Sequence, residues 1–96
     1  MKIRLDISAD TPTYYVNHVE IGYGSHDFSF AVARLPSVFS PSQLATMKST
    51  GEITVTPELV LVLPPTLIPR LITALSLQQQ KFESSFGKIK KAEDEK

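Results

Sequence analysis

Pro64-Pro65 divides this chain into two regimes. Upstream, apolar residues recur at every second position; downstream, they recur at every third and fourth. Those periods belong to the strand and the helix, and consecutive prolines interrupt both, because proline lacks a backbone N–H and forces its predecessor out of helical geometry. The order is sheet first, helix second.

In the upstream part, Thr13 to Gly22 and Asp27 to Leu35 are rich in β-branched and aromatic residues and flank Gly22-Tyr23-Gly24-Ser25-His26. They read as a hairpin over 13–22 and 27–35, with glycines free to take positive φ in the turn. Its apolar face requires Tyr15, Val19 and Ile21 to lie with Phe28, Phe30 and Val32, since a slip of one residue would exchange the faces. A turn at Tyr23-Gly24 would oppose Glu20 to Asp27, two like charges. A turn over Tyr23 to His26 avoids that by pairing Ile21 with Phe28 and Val19 with Phe30, and is preferred. Ile53, Val55, Leu59, Leu61 and Leu63 fall on one face of a strand over 52–63, and Val60 and Val62 make its other face apolar as well. Pro57 marks a bulge in it or splits it in two. Lys2 to Ser8 alternates Ile3, Leu5 and Ile7 with Lys2, Arg4 and Asp6, the pattern of a candidate edge strand. Pro36 to Gly51 reads as a loop or a short helix, since Ser40-Pro41-Ser42-Gln43 has the form of a capping box with proline at the first helical position.

Downstream, Leu67, Leu71, Leu75, Phe82 and Phe86, flanked by Ile68 and Ile72, make one stripe of a helix over about 66–86. Pro69 sits in its first turn, and Gly87 is placed to end it. The expectation is an α+β fold: an antiparallel sheet of three to four strands covered on one face by a C-terminal helix. With 96 residues, 42% of them hydrophobic, it should form one domain over 1–89, with a flexible charged tail over 90–96.

One helix covers one face. The other would carry Tyr14, Val16, His18, Ala31, Ala33, Val60 and Val62, an apolar patch that monomers seldom leave wet. The expected cover is another copy of the chain, giving a homo-oligomer, dimer or higher. The alternative cover is 36–51 folding back with Val38, Phe39, Leu44 and Met47.

Chemistry is thinly represented. Ten Lys+Arg balance ten Asp+Glu, so the basic footprint of a nucleic-acid or electrostatic membrane binder is missing. There is no cysteine, which removes disulfides, thiolate catalysis and Cys-type zinc sites. Gly22-Tyr23-Gly24 precedes a strand, unlike a phosphate loop, and no convergent acid, base and nucleophile can be assembled. No cofactor, no metal and no catalytic residue are expected; the reading is of a cytoplasmic protein that is not an enzyme. Asn17, His18 and His26 remain as polar residues of interest, Asn17 because an amide on an apolar strand face needs partners. A weaker alternative brings these three together as a small-ligand or metal site at a subunit interface.

Tyr15-Val16-Asn17-His18-Val19, Asp27-Phe28, Leu63-Pro64-Pro65 and above all Phe82-Glu83-Ser84-Ser85-Phe86-Gly87-Lys88-Ile89 resemble a family of small bacterial proteins known as a domain of unknown function. The likeness covers roughly residues 12 to 89, and its most specific part is the terminal F-E-x-x-F-G-x-I. It implies a short single domain and assigns no activity or catalytic residue; Asn17 matches a favoured position. A looser likeness of architecture is to the SecB export chaperone, which pairs an antiparallel sheet with a long following helix and assembles through its sheets. The chain lacks that family's acidic balance and second C-terminal helix. The expected function is therefore a structural or protein-interaction module that associates with itself, and with another protein as a further partner, with a SecB-like binder of unfolded polypeptide as the alternative.

Overall fold

A computed structural model describes residues 1–91. Its elements are β1 (His18–Tyr23), β2 (Phe28–Ala33), α1 (Pro41–Thr50), β3 (Leu59–Leu63) and α2 (Ile68–Phe86), the last entered through a 3-10 turn at Pro65–Leu67. The strands form one antiparallel sheet in the order β1-β2-β3. The protein is thus α+β, with its sheet followed by a C-terminal helix. Two compact units are distinguished, one of residues Met1–Gly22 with Ser29–Leu61, the other of Tyr23–Phe28 with the chain from Val62 onward. Of the 90–96 tail, residues 92–96 lie outside the described residues.

The hairpin of β1 and β2 keeps the expected faces but not the expected register. Gly24 N–H donates to the Asp27 carbonyl at 2.9 Å, so the turn residues are Ser25 and His26. Counting back from that pair sets Ile21 opposite Phe30, Val19 opposite Val32 and Glu20 opposite Ala31. The shift relative to the preferred register is two residues, which preserves the side-chain faces and also separates Glu20 from Asp27. Neither turn glycine uses positive φ, a conformation found here at Gly51 and Gly87. Instead Gly22 sits where an added Cβ would come within 3.3 Å of the Ser29 hydroxyl.

The strands are shorter than the alternation suggests. Residues 13–17 stay outside β1 because Asn17 captures the next rung with its side chain. Leu35 N–H donates to Asn17 Oδ1 at 2.7 Å and Asn17 Nδ2 donates to the Leu35 carbonyl at 3.3 Å. Residues 52–58 are likewise not strand, in keeping with the missing N–H of Pro57; pairing resumes where Glu58 N–H donates to the Val32 carbonyl at 2.7 Å. The candidate edge strand 2–8 does not form. Its alternation is real, but a strand exists only through bonds to a neighbour, and a turn at Ser8–Thr11, with Thr11 N–H on the Ser8 carbonyl at 3.2 Å, follows it instead.

Of the two readings of 36–51, the helix is correct. Gln43 N–H donates to the Ser40 hydroxyl at 3.2 Å while Ser40 N–H donates to Gln43 Oε1 at 2.8 Å, a reciprocal cap on two otherwise orphaned donors. Gly51, at φ 75°, ends α1 with its N–H on the Met47 carbonyl at 2.9 Å.

In the second unit, Tyr23 and Phe28 face each other across the turn with ring centroids 6.1 Å apart. α2 carries Pro69 in its first turn, as expected, and stops at Gly87, whose φ of 100° few other residues adopt. No α2 residue is buried.

Candidate interaction site

Two hydrophobic side chains are buried among the described residues: Val32, 9% exposed, and Ala33, 6% exposed. They are successive residues of β2, so they point to opposite faces of the sheet. On the Ala33 face, Ile53, Val55 and Pro57 stand across a hollow of about 320 Å³ from His18, Ala31 and Ala33. Ile53 also borders Ser42 and Thr46 of α1. The segment before β3 therefore covers part of the patch expected to be bare, and it shares a second hollow with α1. Ala33 itself is 6% exposed, buried within the chain. Counted from the Glu58 N–H bond to the Val32 carbonyl, Leu59 stands opposite Ala31 and Val60 opposite Phe30, so Ile53 and Val55 share the Ala33 face with Leu59 while Val60 lies on the other. Of the other expected interface residues, Tyr14, Val60 and Val62 are exposed and Val16 and Ala31 are half-buried.

The end of α2 forms the second apolar surface. Phe82 and Phe86, one turn apart, hold their ring centroids at 5.1 Å, and with Leu75 and Ile89 they line an open hollow along the helix. The geometry of F-E-x-x-F-G-x-I explains its composition. Gly87 N–H closes the helix on the Glu83 carbonyl at 3.0 Å, and Glu83 Oε2 then accepts the Ile89 N–H at 2.9 Å. The carboxylate thus satisfies a donor beyond the helix and turns the chain so that Ile89 joins the two phenylalanines. This use of Glu83 was not foreseen from the sequence, although the motif itself was the signal. Leu75 is 67% exposed and Phe86 77% exposed.

The three polar residues of interest each have a local partner. Asn17 holds the Leu35 backbone, and beside it Arg34 stands 5.7 Å from the Tyr15 ring centroid, within cation–π range. His18 Nε2 is 3.5 Å from Glu20 Oε1 on the same side of β1. The His26 Nδ1 atom lies 2.6 Å from the Ser25 hydroxyl in the turn. Among the described residues no group of three or more His, Asp or Glu side chains gathers where a metal could sit, and no helix is long and apolar enough to cross a membrane.

The class these observations define is an α+β protein with exposed apolar surfaces on strand and helix. No family model, curated protein or solved structure matches the chain.

Proposed function

We propose that this chain is a non-enzymatic structural or protein-interaction module that works as a homo-oligomer. The observation that carries this reading is the contrast between a core of Val32 and Ala33 and the exposed apolar side chains of Val60, Val62, Ile72, Leu75, Phe82 and Phe86. Each large apolar side chain gains roughly 1.5–3 kcal/mol on full burial, so a chain that leaves so many wet has a strong drive to associate. A symmetric partner is the simplest supply of matching surface. The deciding measurement is light scattering on the purified full chain: a defined oligomer is expected, and a monomer would remove the reading.

A second reading, a chaperone that binds unfolded polypeptide, is favoured by one feature, the open hollow of Leu75, Phe82, Phe86 and Ile89. Apolar, groove-like surfaces of this kind take extended or helical segments without sequence-specific polar contacts. Suppression of the aggregation of an unrelated unfolding protein, lost in Phe82→Ser, is its expected mark. Normal aggregation of that protein in the presence of the chain would exclude it.

A further inference from the structure

The N-terminal segment and the outer edge of β1 are complementary to each other in pattern, charge and hydrogen-bonding need, yet in this chain they are not joined. β1 is an edge strand of the sheet. Because Gly24 bonds to Asp27, the alternation of an antiparallel ladder turns the backbone of Glu20 toward β2 and that of Val19 and Ile21 outward. The outward N–H and C=O groups form an open template. Residues 2–8 make no strand and, among the described residues, no bond to β1. Their apolar side chains are correspondingly bare, Leu5 being 80% exposed.

We propose that residues 2–8 of a second copy add to the β1 edge as an antiparallel strand, and that the exchange is reciprocal, making a two-fold dimer. This rests on the homo-oligomer reading and specifies one of its contacts. The register follows from the charges. With Leu5 opposite Val19 and Ile3 opposite Ile21, the apolar residues extend the apolar face of the hairpin, Arg4 falls opposite Glu20 and Asp6 opposite His18. Moving the strand by two residues one way sets Asp6 against Glu20, two like charges; moving it the other way gains Lys2 against Glu20 but sets Arg4 against His18 and leaves Asp6 opposite Val16, without a basic partner. A parallel strand with Arg4 at Glu20 places Lys2 at His18. One arrangement satisfies both polar pairs, and it is the antiparallel one. A two-fold exchange is closed, so both arms and both edges are used and no chain of molecules propagates.

The absence of cysteine makes the contact directly testable. Leu5→Cys and Val19→Cys are introduced into separately tagged full-length chains, co-expressed and oxidised. Residues opposite each other in such a ladder are about 5.5 Å apart at Cα, within disulfide range. A covalent heterodimer well above the yield of either variant alone is expected. An oligomer by light scattering that gives no heterodimer disulfide would overturn the arm exchange while sparing the homo-oligomer reading. A monomer would overturn both. A Leu5→Cys, Val19→Cys double variant that closes only within one chain would place the arm on its own β1, which also overturns the exchange. Charge provides an independent arm of the test, since both side chains are exposed and their replacement should leave folding intact. Arg4→Glu and Glu20→Arg should each weaken dimerisation about two- to five-fold, with recovery in the double variant; equal affinity in all four proteins would count against the register.

Discussion

Asn17 and Leu35 close the open end of the hairpin with a paired bond: Leu35 N–H donates to Asn17 Oδ1 at 2.7 Å, and Asn17 Nδ2 returns a bond to the Leu35 carbonyl at 3.3 Å. A side-chain amide carries the same donor and acceptor as a peptide unit, so Asn17 substitutes for one rung of the ladder. Asn17→Ala should cost about 1–2 kcal/mol. Asn17→Asp, which keeps the acceptor and loses the donor, should fall between the two. Urea unfolding followed by circular dichroism measures the series; an unaltered midpoint in Asn17→Ala would mean that the clasp is incidental.

The reciprocal cap on α1 makes a local prediction. Ser40→Ala removes one bond of the pair and should destabilise α1 by about 1 kcal/mol. Gly51→Ala forces a side chain into a left-handed position, at a cost of about 1–2 kcal/mol. Hydrogen exchange should show faster exchange at the amides near Met47 in both variants, with those of β2 little changed. Uniform acceleration over the whole chain would contradict a local role.

At the end of α2, Glu83→Ala should release the Ile89 amide to solvent exchange, whereas Glu83→Gln, which retains a side-chain oxygen, should protect it in part. Gly87→Ala should loosen the same turn by straining its backbone. If Ile89 exchanges at the same rate in all three variants and the parent, the carboxylate does not hold the turn.

Val62 is 66% exposed on β3. A lysine there places a charge on the apolar surface proposed for association, so Val62→Lys should give smaller particles in light scattering or a loss of the circular dichroism signal of the folded chain. Lys48→Ala, an exposed change on α1, should leave both properties as they are. An unchanged particle size in Val62→Lys would remove β3 from the association surface.

The elements set by local chemistry were readable in the sequence. Ser40, Pro41 and Gln43 announce α1, and Leu67 to Phe86 announces the long helix, because caps and a 3.6-residue period are encoded within a few neighbouring residues. The hairpin faces were readable for the same reason. Its register was not, since the turn glycines suggested positive φ and the observed turn at Ser25-His26 uses none. Strand lengths were overestimated where a side chain or a proline replaces a main-chain bond, at Asn17 and Pro57. The cover over Ala33 was hidden because it depends on where the chain travels after α1, which alternation cannot express. For the interaction surfaces, Val60, Val62 and the F-E-x-x-F-G-x-I segment are legible as unusual apolar placements, whereas the bond from Ile89 N–H to Glu83 depends on how the chain turns after Gly87, which residue types alone do not express.

The pairing of Val32 with Ala33 as the buried core carries a thermodynamic consequence. In the proposed assembly, apolar burial between chains adds to the little within each, so folding and association are linked by mass action. Each ten-fold dilution then lowers the stability of a dimer by about 1.4 kcal/mol. The melting temperature of such an assembly rises with its concentration.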